Sequence, residues 1–550
     1  MYRLFKTHEV RKTESAPPLW DFKTADGSYD GKITVPACWE TIPSLAAYKG
    51  KATYTKKINL SGNVRLAFKG VSHTADVFCD GKHVGHHYNA YTPFNVDLKN
   101  LECGEHEIKV EVDNAYYPES TLHKPNDYYT YGGIIRPLII ETLEKAAVEY
   151  IHFTPKSTSD GWKADVSVKI LGVEGGVQHY DLLLYMNDAL IYKGAVAVTD
   201  GEYTLVSTEL AFPDALAYTS ENPNLYLLKA ELVQNGNKVD DLIERVGFRE
   251  VKCEGKKILF NGKPLKLKGF NRHEDYNSLG SSIPLQAIMR DIALMKETGA
   301  NAVRTCHYPN DELFLDICDE LGMLVWEEEH ARGLKEEEMS HPNFIPQSIA
   351  CIDEMITNHY NHPAIFCWGM LNECVSENEF GRSCYETLYN RIKENDSSRP
   401  RTSASNRYDN DICLDLPEIV SMNIYPDWYP RWPDTMAATL KELKDYIAKT
   451  GNADKPLIIS EIGAGAVYGF RSEAECKWSE EYQAKTLDKQ LAGVLSDDDI
   501  SAVFIWQFAD CRVDDSVALF RPRTFNNKGV VDEYRRKKLC FDIVKKHFGG

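Results

Sequence analysis

The sequence predicts a multidomain β and α/β protein: an N-terminal jelly-roll-like β-sandwich, an immunoglobulin-like β-sandwich, and a C-terminal (β/α)8 barrel of the TIM type. Three observations predict it. Short β-type runs separated by turn signals fill the chain from its start to residue 251, with little helical periodicity. Beyond Gly247-Phe248-Arg249 the periodicity becomes helical and alternates with short apolar runs. Eight such runs follow before the end of the 550-residue chain, the strand count a (β/α)8 barrel needs. A chain of this length also suggests about three or four domains rather than one.

The first domain is placed at residues 1–144. Its runs include 64–68 (VRLAF), 75–79 (ADVFC) and 106–110 (HEIKV), and Asp80-Gly81 after the second is a hairpin signal. Residues 145–251 repeat the style, with alternation at 164–168 (ADVSV) and, more loosely, at 226–230 (YLLKA). That pattern fits an immunoglobulin-like sandwich. The barrel is placed at 252–550. Leu285, Ile288, Met289, Ile292 and Met295 recur at helical spacing there, and Gly299 ends the helix. The strand candidates are 265–270, 302–305, 323–326, 365–371, 401–404, 419–423, 457–460 and 503–507, with 401–404 the weakest.

Hydrophobic residues make up 43% and charged residues 26%, an ordinary globular composition. The formal net charge of −19 argues against a protein that reads nucleic acid through a basic surface. It leaves an anionic small molecule open, because a site needs only a few local cations. The fourteen cysteines form no CxxC and no Cys/His cluster of zinc spacing, so no metal site is expected, and this usage suits a reducing compartment. No apolar leader segment and no membrane-length apolar stretch is found, so the expectation is a cytoplasmic protein without a membrane partner.

The chemistry gathers at the ends of the predicted strands. The stretch 361–374 (NHPAIFCWGMLNEC) is apolar from Ala364 to Leu371 and stops abruptly at Asn372-Glu373. Leu457-Ile458-Ile459-Ser460 likewise ends in Glu461. Unbroken apolar runs fit strands buried on both faces, and barrels keep their chemistry at the C-terminal strand ends. Other ends carry His273-Glu274, Arg304 and His307, Glu327-Glu328, Asn423 with Tyr425, and Trp506-Gln507. Carboxylates supply acid and base, and aromatics give a sugar ring a flat platform. Two glutamates on neighbouring strand ends are the equipment for cleaving a glycosidic bond. The rival reading is a carbohydrate-binding protein on an inactive barrel, since fold alone does not fix function.

Taken with Gly132-Gly133-Ile134-Ile135-Arg136, Asn222-Pro223-Asn224-Leu225-Tyr226, the segment 269–275 (GFNRHED) and 304–309 (RTCHYP), the Asn372-Glu373 pair resembles glycoside hydrolase family 2 over nearly the whole chain. That family holds β-galactosidases, β-mannosidases and β-glucuronidases. The resemblance implies that Glu373 is the general acid/base and Glu461 the nucleophile of a retaining mechanism. It also implies that Asn372 holds the sugar 2-hydroxyl and that Arg304 lies beside the nucleophile. Asn526-Asn527-Lys528 looks like the Asn-x-Lys motif with which uronide-specific members grip the sugar carboxylate, and an amide with an ammonium suits that task. Tyr425 and Tyr429, in the segment 423–429 (NIYPDWY), resemble the tyrosines that touch the nucleophile and the carboxylate. Asp127 matches the first-domain aspartate that binds the 4-hydroxyl, and His307 and Trp506 complete the expected substrate-binding set.

One departure concerns Arg332, in Glu329-His330-Ala331-Arg332, where the glucuronidases of the family carry small uncharged residues. Its guanidinium either helps hold the carboxylate or reads an axial 4-hydroxyl, the centre at which galacturonate differs from glucuronate. An ion pair with Glu327 or Glu329 is the alternative. The segment 334–346 is short, which implies an open mouth. The expected activity is a retaining exo-β-hexuronidase, glucuronides first, with β-galacturonidase or dual activity as the alternative and β-galactosidase as a further one. No cofactor is implied. The expected partner is a small-molecule or oligosaccharide uronide, and relatives that often assemble as homo-oligomers leave that assembly open.

Overall fold

The structure is a computed structural model that describes residues 2–433 and 435–549. In the first domain, period-two alternation buries one side of each strand. Leu19–Thr24, for example, hides Trp20 and Phe22 while Leu19 and Asp21 face out. Eight strands form an antiparallel sheet whose long members, Lys51–Phe68 and Phe94–Asp113, run side by side and shift register around Gly62. Its core is built on Trp20, Phe22, Trp39, Tyr54 and Leu66. The second domain is an immunoglobulin-like sandwich of two antiparallel sheets. One holds Ala146–Thr158, Gly161–Gly172 and Tyr203–Phe212, and the other holds Ala189–Thr199, Val177–Met186, Tyr226–Gln234 and Asn237–Val246. Phe153, Val166, Leu182, Leu228 and Phe248 fill the space between them.

The remaining chain forms a parallel barrel. Its strands are β1 (Leu267–Asn271), β2 (Ala302–Arg304), β3 (Leu324–Glu328), β4 (Ile365–Gly369), β5 (Arg401–Thr402 with Ala404–Ser405), β6 (Val420–Asn423), β7 (Leu457–Ile462) and β8 (Ile500–Ile505). Each pairs with its neighbour in sequence, and β1 also pairs with β8. The ring steps at β5, where Arg401–Thr402 pairs with β4 while Ala404–Ser405 pairs with β6. Every residue of β2, β3, β4, β7 and β8 is buried, as strands covered on both faces must be. The first barrel helix, Leu285–Glu297, buries Ile288, Ile292 and Met295 but leaves Met289 41% exposed, so its apolar stripe is narrower than the spacing suggested. The last strand ends two residues earlier than expected, and Trp506-Gln507 belong to the turn beyond it.

The first domain seals one side of the barrel mouth. Arg136 donates to Glu274 at 2.7 Å and to the Pro309 carbonyl at 2.8 Å, and Tyr131 donates to Asp275 at 2.9 Å. Tyr91 stacks on Tyr308 with ring centroids 3.8 Å apart. Arg136 and Glu274 are both nearly fully buried, and removing one partner of such a pair costs about 3–5 kcal/mol. Within the first domain, the segment leading to Arg136 packs so closely that a Cβ at Gly132 would lie 2.0 Å from the Trp39 ring. Two segments singled out in the sequence, 132–136 and 269–275, therefore meet as one interface.

Candidate active site

At the C-terminal end of the barrel strands lies a cavity of about 380 Å3, within the range of small-molecule sites. Glu373 reaches it from the turn after β4. Leu371 and Glu373 both adopt left-handed backbone conformations, with φ of 47° and 54°. Non-glycine residues hold such angles at a cost of about 1–3 kcal/mol each, and only where surroundings fix them. Here three backbone hydrogen bonds do so. Glu373 N–H donates to the Ala404 carbonyl at 2.8 Å, Asn372 N–H to Ala331 at 2.9 Å, and Gly333 N–H to Asn372 at 2.8 Å. Glu461 sits within β7 itself, and its carbonyl accepts from Ile424 N–H at 2.9 Å.

Arg304 organises the floor. Its Nη1 donates to Glu461 Oε1 at 3.0 Å and to Asn271 at 2.9 Å. Its Nε and Nη2 donate to Glu328 at 2.8 and 2.9 Å, and Nη2 also reaches Asn372 Oδ1 at 2.8 Å. The Tyr425 hydroxyl donates to the other Glu461 oxygen. Glu373 Oε1 accepts from Asn423 Nδ2 at 2.9 Å, and its Oε2 lies 3.8 Å from Arg332. Asn372 Nδ2 is buried and has no acceptor among the described residues.

Burial and the Glu373 carboxylate push the Glu461 carboxyl up to about 7, against the pull of Arg304, Tyr425 and Arg332. Arg304 and Tyr425 stabilise the anion on Glu461.

The opposite wall is cationic. Lys528 is 3% exposed, donates to the Tyr429 hydroxyl at 2.7 Å, and lies 4.8 Å from the centre of the Tyr425 ring and 4.7 Å from that of Tyr429. No carboxylate among the described residues pairs with it, and burial pulls its ammonium below the usual lysine value. Asp127, delivered by the first domain, takes Arg332 on Oδ1 at 3.2 Å and Arg521 on Oδ2 at 2.8 Å. Burial would raise the Asp127 carboxyl, but Arg332, Arg521 and Lys528 outweigh it and hold it well below the usual range.

Of the residues singled out in the sequence, Asp127, Arg332, Glu373, Asn423, Tyr425, Tyr429, Glu461, Trp506 and Lys528 line the cavity. Arg304, His307, Asn372 and Asn526 lie just behind its wall. The His307 ring stacks against Trp506 at 5.1 Å and bonds Glu328 at 2.9 Å, and Asn526 donates to Asp127 at 3.2 Å. The alternative ion pair for Arg332 is overturned. Glu327 bonds His359 at 2.9 Å, and Glu329 is buried without a hydrogen-bond partner among the described residues. Arg332 instead turns to a carboxylate from another domain. Five lining residues escaped the sequence: Asn406, Pro430, Arg431, Trp432 and Arg521. The Pro- and aromatic-rich segment 426–433 after Tyr425 was a usable signal for three of them, whereas Arg521 looks like any solvated arginine.

Two carboxyls lining one aromatic-walled cavity are the equipment for hydrolysing glycosidic bonds, and the family comparison agrees: this chain is a glycoside hydrolase. More narrowly, the chain belongs to glycosyl hydrolases family 2. The TIM barrel domain of that family matches residues 251–549, its sugar binding domain 8–143, and the family 2 domain between them 146–249. The chain is similar to a crystal structure of a family 2 β-galacturonidase from Eisenbergiella tayi bound to galacturonate, with 48% identity and a TM-score of 0.98, covering 100% of this chain and 99% of that one. It is 26% identical to the β-glucuronidase of Sus scrofa over 89% of this chain and 78% of the relative. It is 25% identical to that of Streptococcus agalactiae over 98% and 96%. A further curated relative, from Formosa agariphila, is longer, and the chain spans 66% of its length. Among the described residues no helix is long and apolar enough to cross a membrane.

Proposed function

We propose that the protein is a retaining exo-β-hexuronidase that removes terminal β-galacturonides ahead of β-glucuronides. Lys528 carries the reading. A buried ammonium walled by aromatic rings, with no carboxylate of its own among the described residues, is an unfavourable arrangement until an anion arrives. A sugar carboxylate held by Lys528 and Tyr429 supplies that anion. Asn372 Nδ2, equally without a partner, suits the 2-hydroxyl. Asp127, Arg332 and Arg521 face the far side of the ring, where the 4-hydroxyl distinguishes the two uronates. Galacturonide is placed first because Arg332 stands beside Asp127 there and because the galacturonidase from Eisenbergiella tayi is far more similar to this chain than the glucuronidases are.

In this reading Glu461 attacks the anomeric carbon as the glycosidic bond breaks, and Glu373 passes its proton to the leaving oxygen. The resulting glycosyl ester on Glu461 is then hydrolysed by water, which Glu373 deprotonates, releasing free uronic acid. Initial rates on aryl β-galacturonide, β-glucuronide and β-galactoside test the substrate class. Lys528→Met is expected to lower kcat/KM on both uronides by about 10²–10³-fold, the cost of truncating one partner of a buried charge pair, and to spare the galactoside. A wild type that prefers the galactoside, with no effect of the substitution, would overturn the uronidase reading.

The Glu461 carboxyl sets a pH dependence. It must be ionised to attack, so activity is present above its raised pKa and disappears as the carboxylate takes up a proton. A pH–rate profile is expected to fall as pH drops through about 7. A rate that stays level well into the acidic range would contradict this account of the nucleophile.

A further inference from the structure

Building on the uronidase reading, we propose that Asn406, Arg431 and Trp432 form a second subsite that receives the departing group, and that this group is an anionic sugar, a uronate or sulfated residue of an acidic glycan. The position follows from the ring of strands. Glu373 N–H bonds the Ala404 carbonyl of β5, and Asn406 follows two residues later, beside the carboxyl proposed to protonate the leaving oxygen. Lys528 and Arg521, the cations turned to the sugar being released, come instead from the segment after β8.

The chemistry follows from what these three residues touch. The Arg431 guanidinium lies 4.5 Å above the Trp432 ring, and its Nη2 donates to the Asn406 carbonyl at 2.6 Å, its only hydrogen bond among the described residues. Arg407 donates to the Asn406 side-chain oxygen and is itself neutralised by Glu377 at 3.1 Å. The Asn406 amide N–H2 and the outer edge of Arg431 are therefore the donors left over, and the net charge of this wall is that of Arg431. Trp432 also packs against Tyr408, with ring centroids 4.6 Å apart, and its buried Nε1 has no acceptor among the described residues. An arginine stacked on an aromatic face beside an amide donor suits a planar carboxylate or a sulfate carried on a sugar ring. A neutral aromatic leaving group would use Trp432 alone.

Two disaccharides with the same β-uronosyl end test this, one with a uronic acid at the reducing end and one with that carboxyl reduced to the alcohol. The full chain is expected to favour the acidic disaccharide in kcat/KM by about tenfold or more, the worth of a charge-assisted hydrogen bond. Arg431→Gln should bring the ratio close to one, and Arg431→Lys should retain most of it. Arg431 is exposed, so neither change threatens folding. A wild-type ratio near one, or a preference that survives Arg431→Gln, overturns the subsite while leaving the uronidase reading intact, provided both disaccharides are cleaved and Lys528→Met slows both. If the wild type cleaves neither and turns over the galactoside, the uronidase reading fails and the subsite falls with it.

Discussion

Glu461→Ala is expected to lower kcat on every aryl glycoside tried by about 10⁴-fold or more while leaving the protein folded, the scale seen when a covalent nucleophile is deleted. The folded state should tolerate the change because Arg304 keeps Asn271, Glu328 and Asn372 as partners when the Glu461 carboxylate is gone. Azide supplied to this variant should attack the anomeric carbon directly from the vacated side and give a glycosyl azide of inverted configuration. Product stereochemistry by NMR, with thermal unfolding as the control for folding, reads both points. Turnover that persists in the folded variant would remove Glu461 from the nucleophile role. A wild type without activity on any glycoside would favour the inactive-barrel alternative.

Glu373→Ala gives the second large effect, and its signature differs. Loss of a general acid typically costs about 10²–10⁴-fold, and the loss should scale with how badly the leaving group needs its proton. Aryl uronides with acidic phenols should therefore form the glycosyl enzyme readily and then stall, because no base remains to activate water. Azide should rescue this variant too, but from the face Glu373 occupied, so the glycosyl azide retains configuration. Opposite configurations from the two variants would assign nucleophile and acid/base separately. Identical ones would show that the two roles have been given to the wrong carboxyls.

Much of the fold is written locally. Parallel strands covered on both faces must be apolar throughout, so β4 and β7 announce themselves as runs that break off at a polar group. Glu373 and Glu461 were legible for that reason. β5 was barely legible because it is two dipeptide strands offset at Ser403, too short for any periodicity. Met289 failed because a helix lying on a barrel buries a narrow stripe, and a residue at its border can face water. The partner of Arg332 could not be read because it comes from another domain, and the local carboxylates of Glu327 and Glu329 looked nearer in sequence. Arg521, Arg431 and Asn406 sit on connecting loops, whose residues gain meaning only when the barrel brings strand ends together.

The first domain contributes Asp127, and with it one wall of a cavity whose carboxyl pair, Glu373 and Glu461, belongs to the barrel. Part of the cavity wall and the carboxyl pair are thus inherited on separate folding units. A recombination that exchanged barrels between two relatives would carry over the carboxyl pair intact but leave behind the loop that meets the far side of the sugar. Drift at the sandwich–barrel seam would likewise reshape that wall without altering either carboxyl. Selection on substrate therefore acts on residues far from the reacting bond in sequence, and it ties the two units to a common history.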